Sequence, residues 1–161
     1  MVLTKTPICN FGEKTKSFEL KGIDGQLHKL EDHIGKNGLL IMFICNHCPY
    51  VKAIIRDIVE DCKNLKKEGV NSIAIMSNDT KEYPEDSFEN MKIFSKKFNF
   101  SFPYLIDETQ EIAKEYGAVC TPDFFGYNSK LELQYRGRIR ELKDLKPINS
   151  GESDLLRAMR L

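Results

Sequence analysis

The sequence predicts an α/β fold, a central mixed β-sheet flanked by helices, in a single domain over residues 1–161. Three observations lead there. Two continuous apolar runs, residues 39–44 and 70–76, have the length and lack of alternation of strands buried on both faces. Between and beyond them, apolar residues recur at three- and four-residue steps, the pattern of helices packed over a sheet. Segments near both ends of this array read as hairpins, which makes part of the sheet antiparallel.

The elements follow in order. Ser17, Phe18, Glu19 and Leu20 alternate polar and apolar and begin an N-terminal hairpin; Asp24-Gly25 is a tight-turn signal, and residues 26–30 return as its second arm. Residues 39–44 form the first buried strand. Val51, Ile54, Ile55, Ile58, Val59, Cys62 and Leu65 make one stripe along a helix of about five turns, with Lys52, Arg56, Asp57, Glu60, Lys63 and Lys67 mainly opposite. Residues 70–76 form the next strand and 78–87 a polar loop. Phe88, Met91, Phe94 and Phe98 mark a second helix, and residues 104–106 a short strand. Residues 107–116 read as a third helix, with Asp107 and Gln110 spaced as a capping box and Gly117 at its end. A strand at 123–127, a turn at 128–130 and a return at 131–135 complete the sheet. Residues 152–159 form a last helix with Leu155, Leu156 and Met159 inward.

Composition limits the function. Lysine plus arginine (24) equals aspartate plus glutamate (24), so the basic surplus of a dedicated nucleic-acid binder is missing. The longest apolar run, residues 39–45, is too short to cross a bilayer, and the first residues show no signal-peptide stretch. The expected location is therefore cytoplasmic. The five cysteines, Cys9, Cys45, Cys48, Cys62 and Cys120, are odd in number and do not read as a disulfide scaffold.

Cys45-Asn46-His47-Cys48-Pro49 carries the chemistry. It stands where the first buried strand ends and the long helix begins, and a helix N-terminus stabilises an anion such as a thiolate. On this reading Cys45 is the exposed thiolate, with a pKa below about 7. Cys48, one turn deeper, resolves a mixed disulfide, and Pro49 fits the first helical turn. His47 adds positive charge or a hydrogen bond. A zinc site using the pair with His47 or Cys120 is the competing reading, weakened by the lack of a second close pair. Val119-Cys120-Thr121-Pro122-Asp123 is a second constellation, between the third helix and a strand. A cis proline there would leave backbone open to an extended substrate, and a plain loop proline is the alternative. Cys120 is either an accessory redox cysteine or a small buried hydrophobe. Cys62 reads as inert core, Cys9 has no visible partner, and His28 and His33 read as surface residues. Arg136, Arg138 and Arg140 alternate as on a solvated, charge-protected edge strand.

The segments 42–52 and 117–124, in this order, resemble the thioredoxin-like superfamily. More narrowly they resemble its alkyl hydroperoxide reductase/thiol-specific antioxidant (AhpC/TSA) branch in its C-x-x-C form, over about residues 18–138. The resemblance implies a thioredoxin-like sheet with an N-terminal β-hairpin extension, and a cis Pro122 beside the Cys45/Cys48 pair. It implies a redox-active disulfide, with Thr121 and Pro122 holding substrate backbone. Thioredoxins carry tryptophan before the first cysteine, Gly-Pro between the two, and a buried aspartate six residues before the first. Here Ile44, Asn46-His47 and Leu39 stand there, which leaves His47 as the nearest acceptor for the Cys48 proton.

The expected function is a thiol–disulfide oxidoreductase that reduces disulfides in the cytosol, catalysed by Cys45, Cys48 and His47. It needs no cofactor and no metal. Its partners would be a protein or small-molecule disulfide and an electron-donating reductase or small thiol, with no nucleic acid and no membrane. The alternatives are an antioxidant peroxiredoxin-like peroxidase, in which Cys48 meets peroxide and Cys45 resolves, and a non-catalytic metal-binding module. In the peroxiredoxin pattern Pro-x-x-x-Thr-x-x-Cys, Cys45 stands at the threonine position and Ile41 at the proline.

Overall fold

The structure, a computed structural model, describes residues 12–118 and 121–137, the backbone of 142–143 and 146–147, and residue 159. Its strands are β1 (Glu19–Gly22), β2 (Leu27–Lys29), β3 (Gly38–Phe43), β4 (Val70–Met76), β5 (Tyr104–Ile106), β6 (Asp123–Asn128), β7 (Leu133–Gly137), β8 (Leu142–Lys143) and β9 (Lys146–Pro147). The helices are α1 (Pro49–Lys67), α2 (Phe88–Lys97) and α3 (Glu111–Tyr116), with 3-10 turns at Leu30–His33 and Pro84–Asp86.

The first seven strands form one sheet in the order β2-β1-β5-β4-β3-β6-β7. β3, β4 and β5 are parallel, and β1 and β6 join them antiparallel. This is the thioredoxin-like α/β arrangement with the N-terminal hairpin added at one edge. Every residue of β3 is buried, as a central strand with both faces covered requires. The two-residue period sends Leu40 and Met42 to one face, against α1 and α2. It sends Leu39, Ile41 and Phe43 to the other, where Ile112, Ala113 and Tyr116 of α3 pack. The apolar stripe of α1 is buried along its length, from Val51 to Leu65. That contact fixes the helix N-terminus against the C-terminal end of β3.

Four expectations need correction or refinement. Residues 107–110 do not begin α3; Gln110 is left-handed (φ 60°) and no capping box forms. Buried Asp107 instead accepts hydrogen bonds from the Ala113 N–H (3.1 Å) and the Ser77 hydroxyl (2.8 Å). β7 begins at Leu133 rather than 131, because Asn128 Oδ1 accepts from the Lys130 and Glu132 N–H groups and extends the turn. His28 and His33 lie at the surface but are half-buried rather than fully exposed: their rings stack, and ring nitrogens approach to 2.9 Å. Arg136 is not solvated on the edge. Its side chain is buried and reaches Asp123 (2.9 Å) and the Gly117 carbonyl (2.7 Å), which ties β7 to β6 and the end of α3. Arg138, Arg140, Cys9, Val119, Cys120 and all of the proposed last helix except residue 159 lie outside the described residues; Met159 is helical and packs against the core.

Candidate active site

β3 ends at Phe43 and α1 opens with Pro49 at its first turn, so the Cys45–Cys48 segment crosses from sheet to helix. Proline there sets a helical φ and lacks only an N–H that had no intrahelical partner. Cys48 is the N-cap residue, with the amides of Tyr50 and Val51 behind it.

Both sulfurs meet Thr121. Cys45 Sγ lies 3.3 Å from Thr121 Oγ1, and Cys48 Sγ lies 3.4 Å from the Thr121 carbonyl oxygen, to which it donates when protonated. The Thr121-Pro122 peptide is cis, as the resemblance implies, and starts the approach to β6. Cys45, Cys48, Thr121 and Pro122, far apart in sequence, are thereby brought together.

The third side of the site was not legible in the sequence. The 3-10 turn Pro84–Asp86 sits within the stretch read as a polar loop, and it turns the fully buried Asp86 carboxylate toward the Cys45–Cys48 segment. Asp86 Oδ1 accepts from the backbone N–H groups of Asn46 (2.7 Å) and His47 (3.3 Å). Oδ2 meets His47 Nδ1 at 2.5 Å and accepts from Asn78 Nδ2 at 2.9 Å. The Asn46 side chain donates to the Glu85 carbonyl (3.2 Å) and accepts from the buried Tyr104 hydroxyl (2.8 Å). The Tyr83 ring stacks on the His47 ring at 4.9 Å and 11°. No spacing or turn signal marks Asp86, Tyr83 or Tyr104; only chain folding brings them here.

Two expectations about the pair fail. Cys45 is not the exposed sulfur: Cys45 is 0% and Cys48 1% accessible. Nor is Cys45 the readily ionised one. Donation of its hydrogen to Cys48 and its burial push the Cys45 thiol up, Asp86 adds to this, and only the Thr121 hydroxyl opposes it. The Cys48 thiol is pulled down, first by its hydrogen bond with Cys45 and then, against burial, by the Val51 amide, the Thr121 hydroxyl and the Tyr50 amide. Neither amide completes a cap hydrogen bond to the sulfur, so their effect is that of oriented N–H dipoles at the helix mouth. The sequence reading located the helix field correctly but gave it to the wrong cysteine, because the helix starts after Cys48. Cys62 matches the core reading: burial pushes its thiol up to about 12.

Residues 11–142 match the AhpC/TSA family. The chain belongs to that family. Among solved structures, an uncharacterized conserved protein from Geobacillus kaustophilus is 39% identical, with a TM-score of 0.85 over 92% of this chain and 82% of that one. The thiol-disulfide oxidoreductase ResA of Bacillus thuringiensis subsp. konkukian is 27% identical over 122 residues, which cover 76% of this chain. Peroxiredoxin Q, chloroplastic, of Populus jackii is 27% identical over 117 residues, 73% of this chain. This AhpC/TSA chain spans 66% of the ResA length and 50% of the peroxiredoxin Q length. Among the described residues, no helix is long and apolar enough to cross a membrane.

Proposed function

We propose that this AhpC/TSA protein is a thiol–disulfide oxidoreductase whose redox centre is the Cys45/Cys48 pair. The observation that carries the reading is the pair itself. Two cysteine sulfurs stand at a helix mouth, both in contact with Thr121 and beside Pro122, and Cys48 is the more readily ionised of the two. The similarity to ResA supports it.

The Cys48 thiolate attacks one sulfur of a substrate disulfide, forms a mixed disulfide and expels the other sulfur as a thiolate. Cys45 gives up its proton and attacks Cys48, releasing the second substrate thiolate. The products are a Cys45–Cys48 disulfide and a substrate reduced by two electrons. A partner reductase or small thiol restores the dithiol. Thr121 and Pro122 hold substrate backbone, and His47 stands beside Cys45 to take part in the proton movement. In a cytoplasmic setting, which belongs to this proposal, the resting state is the dithiol and the net direction is reduction.

A second reading is a peroxidase. The favouring observation is that Cys48, the cysteine that aligns with the peroxide-reacting position, caps the α1 N-terminus and has the lowered thiol pKa of the pair. A small peroxide suits a covered sulfur, and Cys45 would condense with the resulting sulfenic acid. A metal module is less well supported. Cys45, His47 and Asp86 bring ligand-type atoms within 4.8 Å of one another. Both Asp86 oxygens, however, are engaged by the Asn46 and His47 amides, the His47 ring and Asn78.

Trapping tests the proposal. A Cys45→Ser variant should retain a disulfide substrate as a stable adduct on Cys48. An adduct on Cys45 in Cys48→Ser, with none in Cys45→Ser, reverses the roles. Fast peroxide consumption with negligible disulfide reduction favours the peroxidase.

A further inference from the structure

Asp86 is fully buried, belongs to neither cysteine's element, and is gripped from four directions. A buried carboxylate that only stabilised a loop could be replaced by a neutral acceptor; this one is placed beside a redox pair. Its oxygen, a His47 ring nitrogen and Cys45 Sγ all lie within 4.8 Å of one another, and Cys48 is outside that group. Cys48 faces the amides of the α1 N-terminus instead. The pair thus stands in a field with a negative pole on the Cys45 side and a positive pole on the Cys48 side. The ionisable groups facing Asp86 are His47 and Cys45 from the Cys45–Cys48 segment and Tyr104 from β5, with Tyr83 behind the His47 ring.

We propose that Asp86 is the positioning residue that keeps the negative charge of the pair on Cys48, and so makes Cys48 the sulfur that bonds first to substrate. The order of bonding rests on the proposed function; the placement of charge does not. Asp86 acts through space on the Cys45 proton, and through its four hydrogen bonds it holds Asn46 and His47 in the geometry that brings Cys45 near. Burial keeps water from screening the charge.

The test isolates each sulfur. In a Cys48→Ser background, iodoacetamide labelling of Cys45 is followed by site-resolved mass spectrometry at pH 8. A unit charge this close shifts a thiol by about one to two pH units, so Asp86→Asn should speed Cys45 labelling about 10- to 100-fold. Asp86→Glu should return most of the slow rate. In a Cys45→Ser background, Asp86→Asn should leave Cys48 labelling within about twofold. An unchanged Cys45 rate overturns the proposal, as does an equal rise at both cysteines, which loosening of the loop would give. Should Asp86→Asn fail to fold, Asp86→Ser supplies a second neutral side chain able to accept the Asn46 amide, read against the same outcomes. Labelling needs no turnover. A protein with the expected rates that exchanges no disulfide loses the proposed function but keeps the role of Asp86.

Discussion

Replacing Cys48 with serine should change how the stability of the dithiol protein depends on pH. Folding pulls the Cys48 thiol below its ordinary value of 9.0. A group with a depressed folded pKa contributes stability that is complete above its unfolded pKa and is lost as pH falls through the folded one. Between those limits the unfolded chain binds one proton more than the native state. Unfolding free energy should therefore rise with pH by up to about 1.4 kcal/mol per unit. The largest share of the effect comes from the hydrogen bond with Cys45. The assay is urea unfolding of wild type and Cys48→Ser, both fully reduced, from about pH 5.5 to 8.5. The wild-type advantage should grow as pH rises across that range, by at most about 1.4 kcal/mol per unit, and shrink as pH falls. A difference that stays flat, or that grows as pH falls, refutes the assignment of the anion to Cys48.

Three further outcomes follow from the geometry. With both sulfurs covered, iodoacetamide should label native Cys48 at least about 10-fold faster, relative to the unfolded protein, than a bulky polymer-linked maleimide does; equal relative rates would mean an open site. Ile58→Ala removes a fully buried side chain from the α1 stripe and should cost about 2–5 kcal/mol in urea unfolding, and a loss under about 1 kcal/mol would contradict the α1 packing. The reduced protein, dialysed against zinc and then buffer, should retain well below one equivalent, because the Asp86 oxygens are already bonded; one tightly held zinc per chain would restore the metal reading.

The fold was legible wherever burial imposes a strict period. The runs that became β3 and β4 and the stripe that became α1 need no partner to be recognised, since each records which faces are covered. The errors fall where a single side chain overrides the local pattern. Asp107 caps α3 from a distance rather than starting it, and Asn128 prolongs a turn into a segment that looks like strand. The same division holds at the site. Cys45, Cys48 and Thr121-Pro122 could be found because their chemistry is written in short motifs. Asp86 could not, because its 39-residue separation from His47 is closed only by the packing of the Pro84–Asp86 turn against the Cys45–Cys48 segment. The charge follows the same rule: the helix field alone points to the first cysteine, whereas a buried carboxylate on its side and a helix that begins after Cys48 favour the anion on Cys48.

The most direct measurement is the identity of the bond formed on mild oxidation. The reduced protein is titrated with limiting glutathione disulfide, quenched in acid, digested and mapped by mass spectrometry. The expected product is an intramolecular Cys45–Cys48 disulfide, formed with the uptake of two oxidising equivalents per chain, with Cys62 left as a free thiol. Oxidation that bypasses this pair, or that leaves glutathione on either sulfur with no Cys45–Cys48 bond at equilibrium, contradicts a redox centre at the mouth of α1.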